Sequence, residues 1–208
     1  MAKPAIEKNA HCFQSTWTDS AAILLSLIFL FSCLPLSAEQ TLPENQGRFL
    51  VATEQLDHTS FQQAVILITH LSERGATGLT INRPTNIPLT NIFPQTQHLK
   101  LNDESLYLGG PVSTNAIFVI LRTTQPRKNM HRIAENIYFS TAKSAFSTPF
   151  SGDSRVYAGY AGWSPGQLQM EIDRGDWTLI HAEANIIFEK NPQALWQRLS
   201  KRWSGLWL

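Results

Sequence analysis

Beyond Gly47 the apolar residues come in short runs that end on glycine, proline or small polar residues, and this restricts the fold more than any other feature. Ala64-Val65-Ile66-Leu67-Ile68 is the clearest of them, a largely β-branched run of strand length, as in a buried strand. Ser72-Glu73-Arg74-Gly75 then makes a turn, and Gly78-Leu79-Thr80-Ile81-Asn82 reads as the returning strand. Arg83-Pro84 stops it, because proline cannot donate to a ladder. Phe49 to Ala52, Leu106 to Leu108, Ala116 to Leu121, Ile137 to Phe139 and Arg155 to Ala158 supply further strands. Pro88 to Phe93 predicts a short helix with Asn86 near its start. Strands clustered in this way, without long helices between them, predict an antiparallel-rich α+β fold rather than a doubly wound sheet.

Two helices have stronger signals. Ser164-Pro165-Gly166-Gln167 has the form of a capping box with proline at the first helical position. Leu168 and Ile172 then share a face, and Gly175 supplies the stop. On this reading Ser164→Ala costs about 1 kcal/mol through loss of the cap. Asn191-Pro192 opens a second helix, with Leu195, Trp196, Leu199 and Trp203 on one face and Arg198, Lys201 and Arg202 on the other. Such a stripe is expected to dock on its own core. The alternative is an envelope-associated protein whose basic, Trp-rich C-terminal helix meets a membrane.

The first 45 residues read separately from a single domain over 46–208. Ala21 to Leu36 is sixteen residues without charge. A spanning helix needs about 20, so the run is nearer the hydrophobic region of a signal peptide, with Leu36-Ser37-Ala38 before Glu39 as a cleavage site. Export or membrane association through this segment is the expectation. No methionine occurs between Met1 and Met130, so the alternative is a misassigned start and a cytoplasmic protein. Cys12 and Cys33 both lie in this segment, which leaves the domain without a disulfide, a thiolate nucleophile or a zinc–thiolate site. The net charge of +1 argues against direct DNA binding, which draws on a basic excess gathered on one face.

Signals for chemistry are weak. Gly162-Trp163-Ser164-Pro165-Gly166 matches the G-x-S-x-G elbow of serine hydrolases, and Asp173 or Asp176 and then His181 follow in the right order. The oxyanion hole of that fold uses the N–H of the residue after the serine, and Pro165 has none. Gly109-Gly110-Pro111 lacks the lysine and hydroxyl of a phosphate loop. His11, His58, His70, His98, His131 and His181 show no metal-ligand spacing, and Glu171 and Asp173, two apart, do not face each other on a helix. The expectation is no catalytic residues, no metal and no cofactor.

Four stretches together resemble the AlgH/YqgE family, also called UPF0301 or DUF179. They are Gly47 to Ala52, Gly78 to Pro84, Gly109-Gly110-Pro111-Val112, and Gly159 to Leu168, in matching order and spacing over about residues 47–200. Trp177 and the ending from Phe188 to Trp196 agree as well. The resemblance implies one α+β domain with a curved, barrel-like sheet flanked by helices. It also implies the family's label of transcriptional regulator, which without DNA contact means regulation through a protein or small-molecule partner. Ser164, Gln169 and Arg122 depart from the family's usual glycine, glutamate and histidine, so no polar role is borrowed for them. The expected ligand or partner surface is where three loops converge: Asn82, Arg83 and Pro84; Gly109, Gly110 and Pro111; and Gly159, Tyr160, Gly162, Trp163, Pro165, Gly166 and Gln167. The alternative is that these residues only set turns. Arg83→Ala would separate the two readings by losing the partner at unchanged stability.

Overall fold

The structure is a computed structural model that describes residues 46–94, 105–141, 145 and 152–204. The uncharged run at 21–36, Trp207 and the side chain of Trp203 lie outside what it describes. Among the described residues, no helix is long and apolar enough to cross a membrane.

Ten strands among the described residues build a strongly curled, mostly antiparallel sheet, a half-barrel. They are β1 (Arg48–Ala52), β2 (Val65–Ser72), β3 (Gly75–Thr80), β4 (Pro84–Pro88), β5 (Ser105–Leu108), β6 (Val112–Arg122), β7 (His131–Ala134), β8 (Ile137–Thr141), β9 (Ser154–Trp163) and β10 (Trp177–His181). Among the described residues, four α-helices accompany them: α1 (Leu89–Ile92), α2 (Gln167–Asp173), α3 (Ala184–Ile187) and α4 (Leu195–Ser204). The main path runs β10-β1-β2-β3-β9-β6-β8-β7, with β4 on β5 and β5 on β9. The curl brings β7 back toward the start of β1, where Gln46 Nε2 donates to the Arg132 carbonyl at 3.2 Å. A Cβ on Gly47 would sit 2.0 Å from the Ile133 carbonyl oxygen, so only glycine lets the two ends meet.

Alternation along the strands sorts the core into two layers. Phe49, Val51, Val65, Leu67, Leu79, Ile81 and Tyr157 face the inside of the curl. Leu50, Ala52, Ile66, Ile68, Ala76 and Trp163 face the other way, toward Leu168 of α2. β1 and β2 are therefore covered on both faces, which is why they read as unbroken apolar runs. Helices α3 and α4 close one end of the inside through Ile186, Ile187, Leu195 and Leu199. Trp196 adds a bond from Nε1 to the Ala52 carbonyl at 2.7 Å. The buried face of the last helix is thus spent on its own core.

β9 is the hub. One side pairs with β6; the other pairs in parallel with β5 at Val156–Ala158 and antiparallel with β3 at Ala161–Trp163. Gly109 spans the gap, its N–H donating to Ala158 O and its carbonyl accepting from Thr80 N–H, each at 2.8 Å.

Several boundaries differ from the sequence reading. At Pro84 an edge strand opens rather than one merely stopping, since an edge position needs no donor. Asn86 belongs to that strand, and Pro88 is the N-cap of α1. Helix α2 begins at Gln167 with Gly166 as N-cap at φ +74°, two residues beyond the expected start. Half of the capping box survives, because Gln167 Oε1 accepts from Ser164 N–H at 3.0 Å. The other half does not form. Ser164 is exposed and its hydroxyl bonds no described residue, so Ser164→Ala should change stability by less than about 0.5 kcal/mol in urea denaturation, not by a full cap.

Candidate functional site

The inward row of the sheet continues past the core to the end opposite α3 and α4. There it turns small and polar: His70 of β2 pairs with Thr77 of β3, and Thr77 pairs with Gly162 of β9. Tyr160, two residues before Gly162 on the same face, packs edge-on against Phe118 at 6.0 Å and ends the apolar layer. The result is an open trough of about 490 Å³ at the mouth of the half-barrel, bounded by Arg74 at the β2–β3 turn, by Val112 of β6, and by Trp163 to Pro165. Gly162 keeps the floor low; a Cβ there would already touch the Tyr160 ring at 3.2 Å.

One wall of this mouth is fixed from below. Glu171 of α2 accepts from Trp163 Nε1 and Trp177 Nε1, both at 2.8 Å, and from Gln167 Nε2 at 2.9 Å. Phe61 stacks on Trp163 at 6.5 Å and meets Trp177 edge-on at 5.6 Å. The Trp163 indole is thereby locked by the helix that follows it, by β10 and, from about a hundred residues earlier, by Phe61. Sequence reading missed this carboxylate, because its partners lie six and eight residues away in two different strands. Two tryptophans flanking a short amphipathic helix that carries one inward acid would have been the signal.

The three expected loops converge only in part. Tyr160, Gly162, Trp163 and Pro165 line the trough; Gly166 and Gln167 sit just beyond it at the start of α2. Gly159 to Trp163 is strand, not loop. Gly109, Gly110 and Gly159 form a backbone-to-backbone crossing: a Cβ would lie 2.3 Å from Gly159 O at Gly109, 2.2 Å from Tyr160 C at Gly110, and 2.5 Å from Gly110 O at Gly159. Pro111 follows them, exposed, into β6. Asn82 is buried and ties the preceding turn, accepting from Val65 N–H and donating to Gln63 O, both at 2.9 Å. Arg83 donates to the carbonyls of Ser60 and Gln62 at 2.7 and 3.0 Å, and partial burial pushes its guanidinium below its ordinary value. Pro84 pairs with Tyr107. Asn82, Arg83 and Pro84 therefore hold a loop in place, and an Arg83→Ala change would alter stability as well as any surface.

The hydrolase geometry does not assemble. His181 lies on β10, separated from β9 by β1, β2 and β3. Asp173 accepts from Gln169 at 2.7 Å, and the buried Asp176 is held by Arg174 through Nε at 3.0 Å and through a closer contact from Nη2. Neither carboxylate bonds a histidine among the described residues.

Comparison with known proteins agrees with this architecture. A family model described as AlgH-like, DUF179, matches residues 49–207. A UPF0301 protein of Ralstonia pickettii is 34% identical over 156 residues, covering 71% of this chain and 82% of that protein. A UPF0301 protein of Streptomyces coelicolor is 30% identical, with 76% and 86% covered. Among solved structures, a Corynebacterium diphtheriae protein superposes with a TM-score of 0.68 at 26% identity, over 78% of this chain and 89% of that one. The solution structure of the AlgH protein from Pseudomonas aeruginosa gives 0.61 at 28%, over 82% and 93%. None of these names states a reaction or a ligand. With its sheet, its motifs and its matched length in agreement, the chain belongs to the AlgH-like DUF179 family of UPF0301 proteins.

Proposed function

We propose that this domain is a non-catalytic binding protein that holds a partner in the mouth of its half-barrel, and that any regulatory role runs through that partner rather than through DNA. The observation that carries the reading is the open trough at the end of the sheet away from α3 and α4. Barrel mouths are recurrent ligand sites, and its volume falls within the usual range of roughly 300–1,000 Å³. The absence of catalysis is supported by Ser164. Its hydroxyl bonds no described residue, the neighbouring His70 included, and Pro165 offers no oxyanion donor. Binding through a partner rather than DNA is supported by the net charge of +1 and by the buried Leu195 and Leu199 of α4, whose face is already occupied.

A photo-crosslinking amino acid placed at Val112, in the trough, and at Met170, exposed on α2, tests the reading in cells. A discrete crosslinked product is expected at 112, absent at 170, and lost when Gly162→Leu fills the floor of the trough. No product at 112, or equal products at both positions, would discard the mouth as a binding site.

A further inference from the structure

We propose that the occupant of this mouth is a short, extended, acidic segment of a partner protein, a step that rests on the binding reading above. The polarity of the trough points to it. Arg74 is exposed at the β2–β3 turn and makes no ion pair with any described residue, and His70 lies beside it on the floor. Among the described residues, no aspartate or glutamate lines the trough. Two acids of the adjoining segments are placed otherwise: Glu73 sits outside the lining, and Glu171 is occupied beneath the wall by two indoles and an amide. One end therefore offers an uncompensated guanidinium, whose planar fork matches a carboxylate. The other end offers Val112, 36% exposed, beside the Tyr160 ring.

Shape sets the class of ligand. The trough crosses β2, β3, β9 and β6, and three strand spacings of about 4.8 Å give a length of roughly 14 Å. An extended chain rises about 3.4 Å per residue, so about four residues fill it. A carboxylate at Arg74 and an apolar side chain against Val112 and Tyr160 would then lie at opposite ends of one segment. Thr77 and the exposed backbone at Gly162 face the middle, where a peptide backbone has polar groups to offer.

The test uses the full chain and three pools of synthetic dodecapeptides, random except for a central triplet of Asp-Leu-Glu, Lys-Leu-Lys or Ser-Leu-Ser. The acidic pool is expected to shift the backbone amide signals of Thr77 and Gly162 in NMR titration, with the other pools at least tenfold weaker. Arg74→Glu should weaken the acidic pool by about tenfold and strengthen the basic one. Arg74 is exposed, so its replacement leaves the core untouched. Equal binding of the three pools, or no response to Arg74→Glu, would overturn acid recognition. Shifts produced by 4-phenylbutyrate but by no peptide would replace the protein segment with a small acid. Silence from every probe would overturn the inference outright. The crosslink at Val112 judges the binding reading separately, because it needs no assumption about charge.

Discussion

Gly159→Ala should cost the protein about 4 kcal/mol or more, enough to remove most of the stability of an ordinary domain. Gly159 sits at φ +70°, and an added Cβ would stand 2.5 Å from Gly110 O and 2.9 Å from Val112 O. Both neighbours are backbone, so neither can swing aside as a flexible side chain would. Relief requires prising β6 from β9 or lifting the Gly109-Gly110 crossing, which also carries the bonds to Ala158 and Thr80. At about 2–4 °C per kcal/mol for a chain of this size, the midpoint should fall by roughly 8–16 °C. Gly166→Ala is the control. It has nearly the same φ, +74°, but nothing lies within 4 Å of its Cβ position, so it should lose only the left-handed penalty of about 1–2 kcal/mol. Equal losses from the two substitutions would mean that conformation alone, and not the crossing, makes glycine necessary at 159.

Arg155→Ala is the second substitution expected to do serious damage, at about 3–5 kcal/mol. Only 4% of Arg155 is exposed, at the start of β9. Its Nη1 donates to Ile187 O at 2.6 Å and its Nη2 to the Glu189 carbonyl, while the guanidinium lies 4.7 Å over the Tyr107 ring. Those carbonyls belong to the end and exit of α3, where backbone acceptors run out of helical donors and a cation is favoured. Truncation would leave both short of a partner inside the protein. Arg155→Lys should recover only part of the loss, because a single ammonium cannot reproduce the planar fork across two carbonyls. Hydrogen exchange should locate the damage, with the amides from Ile186 to Glu189 opening first. An Arg155→Met variant as stable as the parent would show that burial of the charge cancels whatever its bonds contribute.

Both residues mark the limit of what was legible in the chain. Val65 to Ile68 announced a buried strand because both of its faces are covered, and a covered strand has no polar residue to interrupt it. The antiparallel class followed from the spacing of such runs. Gly159 to Trp163, in contrast, read as loop because two glycines in five residues look like turn chemistry. One of them is there for a backbone crossing that involves residues about fifty positions earlier. β7 was invisible for a plainer reason: of His131, Arg132, Ile133 and Ala134, only Ile133 is buried. Strand β10 was also missed, although Trp177 was singled out, because a five-residue strand that closes on β1 has no local turn to announce it. For the candidate surface, chemistry and location separated. Tyr160, Gly162, Trp163 and Pro165 do line the mouth, whereas Asn82, Arg83, Gly109 and Gly110 serve the scaffold. His70 and Arg74 were not recognised as part of the surface, since only the pairing of β2 with β3, and of β3 with β9, brings them there.

The position of the hub strand late in the chain also governs the order of assembly on the ribosome. β3, β5 and β6 all wait for β9, and β1 waits for β10, so four of the strands made first have a partner among residues 154–181. The one β1 partner available early is β2, and the β1–β2–β3 meander emerges with unpaired edges and its most apolar run uncovered. A nascent chain stalled before Ser154 is therefore a sticky, open ribbon rather than a smaller version of the domain. Synthesis must carry through Trp163 before the strand ladder that joins the two halves of the sheet can form.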